Sequence, residues 1–159
     1  MKSKNSLQVN SFGFTLLEIL IVLSILGVLL SVILPSLNRF RQNSILNTET
    51  QEMITLINRA RLLSVSSKND QQFGVHFEAT KVVLFVGAVY SAVAVTNEAH
   101  VFNSMLTLSS IAINGGGAEM LFEKVTGSTS QNATTTLLVI GTTASSTMVI
   151  RPTGVATIN

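Results

Sequence analysis

Residues 14–34 read FTLLEILIVLSILGVLLSVIL, an apolar run interrupted by one ionisable side chain, Glu18. At about 1.5 Å of rise per helical residue the run extends about 30 Å, the thickness of a bilayer's hydrocarbon core. A carboxylate in such a span costs on the order of 2.5–3.5 kcal/mol on insertion scales, so it needs a partner and a job. Simpler readings fail on the residues around it. A secretory signal peptide has a shorter apolar stretch followed by a small-residue cleavage site, whereas residues 31–35 read SVILP. A lipoprotein needs a cysteine, and the chain has none. A plain membrane anchor fits the length but leaves Glu18, and the glycine ahead of Phe14, without a reason.

Ser11-Phe12-Gly13 closes a short polar leader carrying Lys2 and Lys4. The sequence Gly13-Phe14-Thr15-Leu16-Leu17-Glu18 resembles the processing site of type IV prepilins and of type II secretion pseudopilins. The resemblance covers the first quarter of the chain. It implies that a membrane aspartyl peptidase cuts after Gly13 and methylates Phe14, and that Glu18 is the family's acidic fifth mature residue. The cut would leave a free amine on Phe14, one helical turn from Glu18. Pro35 falls where many pilins carry a helix-bending proline. The resemblance implies four partners: the prepilin peptidase, other pilin or pseudopilin subunits, an inner-membrane assembly platform, and lipid before assembly. It calls for no cofactor. The expected location is the bacterial cytoplasmic membrane, crossed once with the head outside, and then a fibre.

Composition bounds the remainder. A chain of 159 residues has room for the membrane helix and one head of about a hundred residues, enough to hold its own core. The formal charge of +2 comes from the leader: without Lys2 and Lys4, eight basic residues face eight acidic ones. The basic pI is therefore no nucleic-acid signature. Without cysteine, packing alone must stabilise the head. Lys2, Lys4 and the initiator amine hold the N-terminus in the cytoplasm. Arg39 and Arg41 then fall on the far side, against the usual bias, so orientation rests on the peptidase site.

Residues 38–65 contain no glycine or proline, and Leu46, Met53, Ile57 and Ala60 recur on one helical face. That stripe suits either a coiled-coil seam with neighbouring subunits or a sheet of the chain's own head, and the length favours the sheet. Pro35 removes a backbone donor inside the run, so a bend or local melting is expected there. From residue 64 the composition turns polar and the period shortens. Residues 72–77, 82–86, 89–95, 105–113, 120–125, 136–140, 147–150 and 155–158 read as strands. The Gly115-Gly116-Gly117 run and residues 126–136 read as loops. The fold class is α+β, a long N-terminal helix with a membrane-spanning first half, packed on a C-terminal antiparallel β head. Its parts are a leader (1–13), a transmembrane helix (14–34), an amphipathic second half (35–66) and the head (67–159).

Within that frame, five pieces in order resemble the H-type subgroup of pseudopilins and minor pilins. They are Arg59-Ala60-Arg61, Phe73-Gly74-Val75-His76-Phe77, a hairpin, Phe122-Glu123-Lys124-Val125-Thr126-Gly127 and Val149-Ile150-Arg151-Pro152-Thr153-Gly154. The resemblance implies a structural subunit of a type IV pilus or a type II secretion pseudopilus. Two alternatives stand beside it, a DNA-uptake minor pilin and a plain membrane-anchored β domain.

Catalysis finds no footing in the sequence. The only histidines are His76 and His100 and the only aspartate is Asp70. Two histidines without cysteine make no zinc spacing, so no metal site is expected. His76 reads as a strand residue, and His100 as a solvated loop residue. Gly115-Gly116-Gly117 lacks the lysine and following helix of a phosphate loop. The Asn132-Ala133-Thr134 sequon lies in a Thr/Ser-rich stretch where such matches arise by chance. DNA binding needs clustered basic residues. Here Lys68, Lys81, Lys124 and Arg151 are interleaved with Glu78, Glu98, Glu119 and Glu123, and ordinary solvated charges are the expectation.

Overall fold

The computed structural model describes residues 13–159. The leader up to Phe12, with Lys2 and Lys4, lies outside the described residues. One helix, α1 (Leu16–Val65), precedes eight strands: β1 (Phe73–Glu78), β2 (Lys81–Val86), β3 (Glu98–Val101), β4 (Leu106–Ile113), β5 (Glu119–Phe122), β6 (Ala133–Val139), β7 (Ser145–Ile150) and β8 (Ala156–Ile158). The described residues divide into two compact units, one ending at Arg39 and the other spanning Phe40–Asn159.

In the second unit the helix packs on two antiparallel sheets of four strands, ordered β3-β2-β1-β5 and β4-β6-β7-β8. The fold is α+β. The face of α1 that meets them carries Leu46, Thr50, Met53, Leu56, Ile57, Ala60 and Ser64, all buried. Their spacing of three and four keeps them in one stripe at 3.6 residues per turn. Phe73, Val75 and Phe77 of β1 and Met120 and Phe122 of β5 join this core, as do Leu137, Met148 and Ile150 of the other sheet. The stripe's alternative, a seam with other subunits, has no room: Met53, Ile57 and Ala60 are wholly covered by the chain's own strands.

Strand β2 shows why its sequence does not alternate. Val82 and Leu84 face the helix-side core, whereas Val83 and Phe85 are equally buried on the other face. Phe85 lies opposite Gly74 in the β1–β2 register. A Cβ on Gly74 would stand 2.5 Å from the Phe85 ring, so the glycine is the floor on which the ring rests. Tyr90 then covers Phe85 edge-on at 5.6 Å between ring centroids. A strand buried on both faces reads as a continuous apolar run.

Five expectations are corrected. Residues 89–95 are not a strand: Gly87, at φ 113°, turns the chain out of β2, and Val89, Val93 and Val95 project into solvent. The strand paired with β2 is instead β3, whose His100 lies opposite Val82. It is a short edge strand with the polar sequence EAHV, which carries little strand signal. Residues 133–136, expected in a loop, begin β6, because Ala133 and Thr135 point inward in strict alternation with Leu137 and Val139. Strand β5 ends at Phe122, and Val125 sits at φ 69° in a turn whose N–H donates to the Ser64 carbonyl at 3.0 Å. Finally, α1 runs through Pro35 as one unbroken helix, which removes local melting from the expected pair, a bend or local melting.

Candidate functional site: the helix start and the head corner

The first turn of α1 is built by Thr15. Its carbonyl accepts the first helical bond from the Ile19 N–H at 3.3 Å, and its Oγ1 accepts from the Glu18 N–H at 3.2 Å. Thr15 is thus the N-cap and Glu18 the third helical residue, the spacing of a capping box. A carboxylate here also faces the positive end of the helix dipole. Reading Glu18 only as a membrane anomaly missed this local role, although the T-x-x-E spacing was its signal. Phe14 and Glu18, four apart, line one shallow apolar groove with Ile19, Val22 and Leu23.

The helix that follows is exposed along residues 16–34. Its two serines satisfy themselves: Ser24 Oγ donates to the Leu20 carbonyl at 2.8 Å and Ser31 Oγ to the Val28 carbonyl at 2.7 Å. Back-bonded hydroxyls add little cost in hydrocarbon. Glu18 is different, for every ion pair among the described residues lies beyond residue 40. Gly13 also has no internal reason to be glycine. A Cβ there would meet nothing within 4 Å.

In the head, three of the motif pieces converge. Arg61 near the end of α1 donates from Nε to the Thr153 carbonyl at 3.1 Å. Its stem lies against Gly127 and Gly154, where added Cβ atoms would fall 2.9 and 3.0 Å from it. Both glycines have positive φ, 63° and 78°, so each turn requires its glycine twice over. Their distance in sequence hid this corner.

Other charged side chains are mostly paired locally. Glu49 on α1 holds His100 Nε2 at 2.7 Å and accepts the Asn103 N–H at 3.2 Å. His100 is therefore a half-buried strand residue, not a solvated one. Arg59 pairs with Glu98. Lys124 Nζ reaches Asp70 Oδ1 at 2.8 Å and the Asp70 carbonyl at 2.9 Å, and this bond holds the Asp70 carboxyl below the usual carboxylate range. His76 lies between Glu78 (3.7 Å) and Glu119 (3.6 Å), with its ring stacked on Tyr90 at 3.9 Å. Tyr90 donates its hydroxyl to Glu78 at 3.3 Å, and Lys81 pairs with the same carboxylate at 3.2 Å. Burial, and after it the Glu78 charge, pushes the Tyr90 phenol up. Among the described residues no three such groups form a metal-ligand set. The cluster seats the loop after β2. With Lys81, Lys124 and Arg59 paired, these residues present little free positive charge to a polyanion.

Residues 9–34 match the prokaryotic N-terminal methylation motif. No curated protein and no solved structure matches the chain. The motif supports a type IV pilin-like precursor processed by prepilin peptidase, and it points to a structural protein. The long apolar helix is consistent with a pilin anchored in the inner membrane.

Proposed function

We propose that the chain is a structural subunit, a minor pilin or pseudopilin of the H-type, of a type IV pilus or type II secretion pseudopilus. Cleavage after Gly13 and N-methylation of Phe14 mature it. The observation that carries this reading is the methylation motif over residues 9–34 joined to a single carboxylate, Glu18, in an otherwise uncharged exposed span.

Cleavage would place an ammonium at Phe14, on the positive end of the α1 dipole. That is unfavourable unless a carboxylate is near. Glu18, in the first turn and on the Phe14 face, is the group placed to offset it. Within one chain it balances the end of the helix. Between chains, Glu18 of one helix would pair with the Phe14 amine of the next and set the axial register, since an unpaired charge buried among helices costs several kcal/mol. Before assembly the span of residues 14–34 sits in the membrane, and extraction exchanges lipid for neighbouring helices.

Intact-mass and N-terminal peptide analysis tests the reading. The membrane-extracted protein is compared with and without co-expressed prepilin peptidase. A methylated Phe14 terminus that appears only with the peptidase is the expected result. An intact Met1 terminus in both samples would reduce the chain to a membrane-anchored β domain.

A further inference from the structure

The connection from β4 to β5 begins Asn114-Gly115-Gly116-Gly117, and Asn114 is the only asparagine in the chain followed by glycine. All four residues are exposed. The glycines hold φ values of 101°, 82° and 83°, a left-handed run that side chains rarely tolerate. The backbone bonds of the turn come from its first and third residues. The Asn114 N–H donates to the Asn132 carbonyl at 2.9 Å and the Gly116 N–H to the Ile113 carbonyl at 2.9 Å. Among the described residues the Gly115 N–H, between them, has no backbone acceptor. It also carries no side chain to obstruct approach to the Asn114 amide.

We propose that Asn114 is a site of spontaneous deamidation, through which the head acquires a negative charge and a backbone isomer as it ages. The Gly115 nitrogen, after losing its proton to solvent base, attacks Cγ of Asn114. The N–Cγ bond forms, the Cγ–Nδ2 bond breaks, and Nδ2 leaves as ammonia with a proton taken from solvent. Water then opens the succinimide at either carbonyl and yields aspartate or isoaspartate. The balance is asparagine and water in, the acid and ammonia out, with no change of oxidation state. Beyond the leader the chain has eight basic and eight acidic residues, so each conversion takes its side chains from balance to a net negative charge. The isoaspartate form also routes the main chain through Cβ. That lengthens the turn at the bond by which Asn114 holds the start of β6.

Peptide mapping of the full-length protein in detergent, incubated in heavy-oxygen water at mildly acidic and mildly alkaline pH, tests this. The peptide containing Asn114 should take up label as paired aspartate and isoaspartate products, isoaspartate in excess and faster at the higher pH. Peptides with Asn103 and Asn132 should stay unlabelled. Gly115→Ala should slow conversion several-fold. Because alanine is strained at that φ, Asn114→Gln provides a second variant, which should abolish conversion while leaving the glycine run intact. An Asn114 peptide left unlabelled while the urea-denatured chain converts would overturn the proposal. So would aspartate formed without isoaspartate, which would mean direct hydrolysis without Gly115.

Discussion

Gly154 lies so close to Gly127 that a Cβ placed on it would meet the Gly127 carbonyl oxygen at 2.0 Å. The Arg61 stem closes over both glycines, so α1 and two β turns meet where neither turn has room for a side chain. Gly154→Ala is expected to destabilise the head by about 2–4 kcal/mol, combining a left-handed alanine with a backbone clash. Denaturant unfolding of the full-length protein in detergent measures it. An unchanged midpoint would mean that the turns separate freely.

Glu49 ties the helix to β3 and to the segment after it, with one oxygen on His100 and the other on the Asn103 N–H. Glu49→Ala leaves the half-buried His100 ring and the exposed Asn103 N–H without this acceptor, and a loss of about 0.5–1.5 kcal/mol is expected. A double-mutant cycle with His100→Ala should return a coupling of about 0.5–3 kcal/mol. Strict additivity would show that the contact contributes nothing in solution.

Tyr90 is the only tyrosine, and there is no tryptophan, so alkaline absorbance titration reports on it alone. Its phenol is expected to ionise above the ordinary tyrosine value of 10.0. Burial is the larger cause and persists in Glu78→Gln, which should bring the midpoint only part of the way down. The sign follows from linkage. A phenol whose folded pKa is raised contributes stability below its unfolded pKa, and that contribution is lost as pH rises through the folded value. A midpoint at the free-tyrosine value in the folded chain would show that the ring leaves His76 and Phe85.

The helix start separates two effects that a single variant would confuse. A side chain at position 13 meets nothing in the chain, so Gly13→Leu should leave the head's unfolding midpoint unchanged while blocking maturation. Glu18→Ala should be processed yet enter fibres poorly, and immunoblots of sheared fibres against membranes read the difference. Normal incorporation would remove Glu18 from assembly. The Thr15 cap adds a control. Thr15→Ala should weaken the first turn by about 1 kcal/mol and leave the carboxylate in place.

Much of this architecture was legible from local chemistry. The span of residues 14–34, the stripe from Leu46 to Ala60, and the pattern of β1 each follow from periodicity within one element. Errors came where context overrode pattern. The valines of residues 89–95 alternate like a strand, but Gly87 turns them outward and Tyr90 anchors the segment on His76. Strand β3 was silent because an edge strand paired on one side needs few apolar residues. Thr135 looked like a loop residue until Leu137 and Val139 gave it a buried face.

Residue order alone dictates the long helix, its apolar first half with one carboxylate, and a β-rich remainder. Side-chain spacing along a single element is a local property, so one chain suffices to show it. Packing brings Arg61, Gly127 and Gly154 to one corner, sets Glu49 against His100, and rests Phe85 on Gly74. Those pairs are set by how sheets stack and turns close around a common core. Residues far apart in sequence meet there because burial drives them together, and close packing then admits a side chain at some of these positions and only glycine at others.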